Sequence, residues 1–414
     1  MLDFDVHIQR LKINDQKIKY SPRFIHLHEI QLFNTLNMRS NVRMRGKPTE
    51  DIRITVTKNK ERMMNVSIDQ FSEYNKIQYG GKDELGFGIK PVKISMFNND
   101  WNNSPNTEVN IISDGSETKE NSKVKIGIVS MTILDSQVEE DIKYGMPIAF
   151  SHIEDVKAVL NEAIRNDVNF IVFPEVSLPI QWINFLADFS RRNNICIIGG
   201  VRHFIKGVKS KGVNNMLATI LPIEKKGYTS AIINLRLKNH YSPKEEELIK
   251  GYGLEVPKSK SIHYDLFHWK GIDFSCYNCF ELTSIEERAL FKSKVDIIFA
   301  SVFNRDTGYF SDIVETTARD VHCYMVHVNT AQYGDSRICQ PTAAENKDIV
   351  KVKGGENAAL LVGTIDIQEL RLFQAKEHNL QLLERTKYKY KPTPAGFDRE
   401  EVKEKLGIYS VRNY

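Results

Sequence analysis

No run of hydrophobic residues in this 414-residue chain approaches the roughly 18–20 that a membrane-spanning helix requires. The opening residues, M-L-D-F-D-V-H-I, carry acidic groups where a secretory leader carries basic ones, and no apolar stretch follows. Cysteine is scarce. Five residues, an odd number, give no disulfide framework and point to a reducing compartment, so the expected location is cytoplasmic. Charge of one sign is also lacking: 57 basic against 53 acidic residues leave a formal +4, too little to indicate nucleic-acid binding. No second C-x-x-C and no H-x-x-x-H accompanies the pair Cys276 and Cys279, so a four-ligand zinc site cannot be completed. Internal repeats and long low-complexity tracts are absent as well.

What is present has an ordinary globular composition, 41% hydrophobic and 27% charged, in a chain long enough for two or three domains. Residues 1–111 mix short alternating runs, Ile52–Val56 and Val92–Phe97, with polar stretches, and read as a β-rich or α+β accessory region. The cluster Arg39, Arg43, Arg45 and Lys47 within it reads as a solvated surface. Residues 112–123 form a linker, since S-D-G-S-E-T-K-E-N-S-K (Ser113–Lys123) has no apolar residue. Residues 124–373 alternate buried-looking strands with helical spacing, the pattern of an α/β architecture. Strands are expected at Val124–Val129, Asn169–Glu175, Ile195–Val201, Ala231–Leu237, Ile272–Cys279, Val295–Ala300, Cys323–Asn329 and Leu360–Asp366. Helical spacing appears at Ile153–Ile164 and again at Trp182, Phe185, Leu186 and Phe189. Residues 374–414, charged and Lys-rich, read as a C-terminal arm.

The informative residues stand where strands stop, because loops at the carboxyl ends of strands aim side chains at a common point. Glu175 follows I-V-F-P directly, either capping the next segment or serving as an acid/base. Lys238 lies one residue past L-R-L, ahead of a histidine, a proline and three glutamates, and an ion pair there is as readily structural as functional. The third strand ends in F-S-C-Y-N-C-F-E-L (Phe274–Leu282). Its C-x-x-C admits half a metal site, a redox pair, two buried apolar residues, or one nucleophile beside a bystander. A redox pair usually sits at a helix start, which this one does not. His322 and His327 flank a buried-looking strand and read as core histidines. A cysteine placed near a carboxylate base and a lysine has what thiol catalysis needs.

Together, F-P-E, then K-x-H-x-x-P-x-x-E, then a strand ending Cys-aromatic-acid, resemble the carbon–nitrogen hydrolase (nitrilase) superfamily. The resemblance covers about Lys123 to Phe373 and takes in D-S-R-I-C-Q-P (Asp335–Pro341), similar to the family's G-x-S-x-x-x-P turn. It implies an α-β-β-α sandwich and a Glu–Lys–Cys triad: Glu175 as general base, Lys238 stabilising the oxyanion, Cys279 as nucleophile. A second glutamate falls on Glu246, with Glu245 its nearest rival. Cys279 is preferred to Cys276 because C-F-E fits the family pattern better than C-Y-N. Strand geometry agrees, since Cys279 ends the strand and residues three apart point to opposite faces. The implied reaction runs through a thioester from an amide, or a thioimidate from a nitrile, and needs no metal or organic cofactor. A homodimer or larger assembly is implied, with the tail crossing to a neighbour.

Two departures stand out: C-F-E is followed by L-T-S-I-E-E-R, and the N-terminal addition lies outside the ordinary family fold. Both features look like diverged nitrilase-like domains of bacterial defence-associated or reverse-transcriptase-linked proteins. The competing functions are therefore a binding or assembly module regulating a partner, and acyl transfer to an amine or lipid.

Overall fold

The computed structural model describes residues 28–29, 88–93, 107–114, 123–145, 152–205, 211–225, 227–257, 262–383 and 389–408. The run Ile52–Val56, the cluster Arg39–Lys47 and the stretch of Val92–Phe97 beyond Lys93 lie outside them.

In chain order the strands are β1 (Gly88–Lys93), β2 (Thr107–Ser113), β3 (Lys123–Ser130), β4 (Phe170–Val172), β5 (Cys196–Ile205), β6 (Val213–Lys225) and β7 (Tyr228–Leu237). There follow β8 (Ile262–Trp269), β9 (Ile272–Asn278), β10 (Ile297–Ser301), β11 (Tyr324–Val328), β12 (Ser336–Cys339), β13 (Asp348–Val352) and β14 (Ala359–Asp366). They form two sheets, ordered β14-β3-β4-β5-β6-β7 and β1-β2-β8-β9-β10-β11-β12-β13. Parallel pairs lie at the middle of each, β3·β4·β5 in one and β9·β10·β11 in the other, flanked by antiparallel strands. Parallel strands are buried on both faces, which is why these segments read as continuous apolar runs.

Three cores separate the layers. Ile128, Phe170, Val172 and Ile198 of the first sheet meet Phe267, Trp269, Phe274 and Phe299 of the second. The Phe170 ring lies edge-on to Trp269 (5.1 Å) and Phe274 (5.3 Å). The other face of the first sheet, through Val129, Ile171, Phe173 and Ile197, packs on helices α1 (Asp135–Tyr144), α2 (Ile153–Arg165) and α3 (Ile183–Asn193). Helix α2 presents Val156, Val159, Leu160 and Ala163 on one stripe, as its sequence spacing requires. The outer face of the second sheet, through Tyr277, Ile298, Ala300 and Met325, packs on the segment around Leu290 and on Phe310, Ile313 and Val314. The architecture is thus the α-β-β-α sandwich that the resemblance implied.

Strand β2 pairs in parallel with β8, so the residues just before the polar run extend the second sheet. The tail, over its described residues, lies on its own chain. Tyr390 is buried with its hydroxyl 2.9 Å from that of Tyr324, and the Lys391 carbonyl accepts from His322 Nε2 at 2.7 Å. Lys405 Nζ reaches Asp273 at 2.9 Å. His322 and His327 are buried, and burial lowers both to about 4. No helix among the described residues is long and apolar enough to cross a membrane.

Candidate active site

Glu175 is held by a backbone with little freedom. Pro174 fixes its own φ and offers no N–H, and Val176 sits at φ +49°, a left-handed conformation that β-branched residues rarely adopt. Such a residue persists only when its surroundings over-determine it, at a cost of about 1–3 kcal/mol. They do so here: the Ser177 and Leu178 N–H groups both donate to Gly200 O at 3.0 Å, and Gly200 N donates to Pro174 O at 3.1 Å. Gly200 is required for the approach, since a Cβ there would lie 2.5 Å from Glu175 Cα. Glu175 N in turn donates to Val302 O across the sandwich at 3.3 Å, so the end of β4 is registered on the loop after β10.

Lys238 leaves β7 with its N–H bonded to Asn215 O at 2.9 Å. Its side chain is buried, and Nζ donates to Glu175 Oε1 at 2.7 Å and to Glu245 Oε2 at 2.6 Å. Helix α4 (Pro243–Gly251) begins at this point. Ser242 caps it, accepting from Glu245 N at 3.2 Å, and Pro243 occupies its first turn. The cap sets the rotation that turns Glu245 inward. Glu246, the residue expected from sequence, instead pairs with Lys250 at 2.6 Å on the exposed face. The structure therefore brings Glu245, not Glu246, to the lysine, because one step along a helix turns the side chain by about 100°.

In the third strand end, Cys276 points into the core between the sheets, while Cys279 stands beyond β9 on the opposite side. Cys279 has φ +47°, so the chain turns sharply at the sulfur. It is 5% exposed, and its Sγ–H faces Phe303 O at 3.9 Å. The turn is clamped from behind by Glu281, which accepts from Asn278 N (2.7 Å), Asn239 N (2.6 Å) and both terminal nitrogens of Arg236 (2.7 and 2.8 Å). Phe303 is braced in its turn: Asn329 exchanges hydrogen bonds with Asn304, and Ser336 of the D-S-R-I-C-Q-P segment holds Asn329.

Several groups at this site went unmarked in the sequence. Asn215 Nδ2 donates to Glu175 Oε1 (2.9 Å) and Glu245 Oε1 (2.8 Å), and its Oδ1 accepts from Asn278 Nδ2 (2.9 Å). His203 Nε2 approaches Glu245 Oε1 at 3.4 Å, and Lys238 Nζ lies 5.5 Å from the centre of the Tyr241 ring. The signal that was available is a buried polar residue inside an apolar strand, Asn215 in V-N-N-M-L and Arg236 in L-R-L, since such groups must find partners.

The electrostatics follow from burial and these contacts. Burial works against the Lys238 charge, yet Glu175 and then Glu245 outweigh it and hold its pKa well above the ordinary lysine range. Burial would raise Glu245, but Lys238 first and His203 next hold it below the carboxylate range. Burial, reinforced by Glu175 and only partly opposed by Lys238, pushes the Cys279 thiol well above its usual range. A thiol held in that range would need a base beside it to act as a nucleophile. Among the described residues no group of three or more His, Cys, Asp or Glu is placed to hold a metal ion.

No model of a protein family matches the chain, and no curated protein matches it. Solved structures do. An amidase from Nesterenkonia sp. is 11% identical, with a TM-score of 0.42 over 63% of this chain and 95% of its own. Nit3 of Saccharomyces cerevisiae, described as a member of branch 10 of the nitrilase superfamily, is 15% identical, with a TM-score of 0.41 over 61% of this chain and 93% of its own. A mutant of the Nesterenkonia sp. AN1 amidase, showing Michael addition of acrylamide at the active site cysteine, is 11% identical with a TM-score of 0.40, over 58% and 92%. The chain is similar to these structures at TM-scores of 0.40–0.42.

Proposed function

We propose that this chain is a cysteine-dependent hydrolase of amide or nitrile C–N bonds, of the nitrilase superfamily type. One observation carries the reading. A single buried ammonium is shared by two carboxylates, beside a buried, strained cysteine at an adjoining strand end.

Glu175 Oε1 is occupied by Lys238 and Asn215, and Oε2 has no partner among the described residues. Oε2 is thus the oxygen to take the Cys279 proton. The sulfur then attacks the carbonyl or nitrile carbon, and the oxygen or nitrogen that gathers charge is met by Lys238. That ammonium spends two of its three N–H groups on the glutamates and keeps one. With an amide, the protonated Glu175 hands its proton to the leaving ammonia or amine, giving a thioester. With a nitrile nothing leaves, and the proton passes to the nitrogen, giving a thioimidate that one water converts to the thioester with loss of ammonia. Water attacks next, with the same carboxylate as base. Glu245 stays ionised throughout and keeps Lys238 cationic.

Iodoacetamide, a small electrophilic amide, provides the test. Peptide mass spectrometry is expected to find the adduct at Cys279, beside the carboxylate and the ammonium, in preference to the four other cysteines, which are buried as well. Cys279→Ala is expected to abolish it. Labelling spread evenly over the cysteines, or unchanged in Cys279→Ala, would refute the assignment. Incubation with a metabolite pool then reports the acyl group retained on the sulfur.

A further inference from the structure

Within the site just assigned, and resting on that assignment, we propose that Asn215 is a positioning residue that decides which oxygen of Glu175 receives the thiol proton. Asn215 is fully buried on β6. Its Nδ2 has two hydrogens, and each meets a different carboxylate, Glu175 Oε1 at 2.9 Å and Glu245 Oε1 at 2.8 Å. Ionised carboxylates only accept, so the amide is fixed with nitrogen toward them and Oδ1 away. Oδ1 then requires a donor, which fixes the amide of Asn278 with Nδ2 toward it at 2.9 Å. Asn278 is also the residue before Cys279. One uninterrupted chain of hydrogen bonds thereby runs from both carboxylates to the backbone that carries the sulfur.

The consequence is directional. With Lys238 and Asn215 both donating to Glu175 Oε1, a proton arriving there displaces a donor, whereas Oε2 accepts it at no such cost. Asn215 also supplies donors to two like charges that the one ammonium, helped by His203 at Glu245, would otherwise hold. The groups facing it are Glu175 beyond β4, His203 on β5, Lys238 and Tyr241 beyond β7, Glu245 on α4 and, through Asn278, Cys279.

Alkylation of the full-length protein by iodoacetamide isolates the step. The S–C bond forms, the C–I bond breaks with loss of iodide, and the thiol proton passes to Glu175. The rate of Cys279 adduct formation is measured against pH. Asn215→Asp replaces two donors with a third carboxylate, which disfavours ionisation of both Glu175 and the thiol. Its rising limb is expected about one pH unit or more above that of the unsubstituted protein. Coincident profiles would overturn the proposal, since a merely structural defect lowers the rate without moving the limb. Should Asn215→Asp fail to fold, Asn215→Ser adds no charge and decides the matter. Its rising limb is also expected to move to higher pH, because two ionised carboxylates lose their Asn215 donors. A limb that stays in place, whatever the rate, overturns the idea. The two readings fail differently: unlabelled Cys279 in the unsubstituted protein sinks both, while normal labelling indifferent to Asn215 sinks this one alone.

Discussion

Glu245 and Glu246 are adjacent and chemically identical, and the site distinguishes them by rotation alone. Glu245 shares the Lys238 ammonium with Glu175, whereas Glu246 meets Lys250 on the exposed face of α4. An exposed i,i+4 pair contributes only about 0.3–0.5 kcal/mol. Glu246→Gln should therefore leave Cys279 alkylation and the melting temperature nearly unchanged. Glu245→Gln removes the second of the two charges that hold Lys238 cationic and one that opposes ionisation of the Cys279 thiol, so the pH profile of alkylation should shift to lower pH. Equal effects would show that Cys279 does not feel Glu245. Sequence reading reached Glu175, Lys238 and Cys279 because each follows an apolar strand directly, where pattern marks position. It fell on Glu246, one residue past Glu245, because motif spacing does not report how a cap rotates a helix. Asn215 escaped because an asparagine within a strand becomes informative only once its burial is known.

At the scale of elements, the ends of β7 and β9 are joined by one buried pair, Arg236 and Glu281, with Glu281 inaccessible to solvent. Burial alone would raise Glu281. The Arg236 charge and hydrogen bonds, then the N–H groups of Asn239 and Asn278, hold it below the usual carboxylate range. A depressed carboxylate stabilises the fold above its unfolded pKa, roughly 4.3, and that contribution is lost as pH falls through the folded value. Arg236→Met strands the charge and should cost about 3–5 kcal/mol at neutral pH, read from urea unfolding. In the variant the Glu281 pKa rises instead, so its deficit should grow as pH climbs from about 4 to 8. A deficit independent of pH would mean that Glu281 is not what Arg236 neutralises. The central strands were legible for the reason they are buried: parallel strands covered on both faces are continuous apolar runs. Strands β6 and β8 were not, since V-N-N-M-L and I-H-Y-D-L-F-H-W interleave polar residues that pair only in the folded sheet, as Asp265 does with Asn234 and Asn110.

Across the whole molecule, the layers were legible and the closure was not. Nothing in the composition of Y-K-Y-K-P-T-P says that Tyr390 fills a place beside Tyr324 and Phe373, because polar sequence around a single anchoring ring looks the same in an arm as in a cover. Charge is distributed just as unevenly. The chain carries a formal +4, yet the buried trio of Glu175, Glu245 and Lys238 sets two carboxylates against one ammonium. A reagent's charge therefore matters at the sulfur. Two opposed unit charges of like sign at 4 Å repel by about 1 kcal/mol in water and about 4 kcal/mol near a protein surface. Iodoacetate places a carboxylate beside the carbon that Cys279 attacks, and iodoacetamide does not. The amide should outpace the acid at Cys279 by a wider ratio than it does on a free thiol in the same buffer, and added salt should narrow the gap. Equal ratios would place the trio's charge out of reach of the reacting carbon. A chain that is cationic as a whole would thus keep its proposed nucleophile in a field that turns anions away.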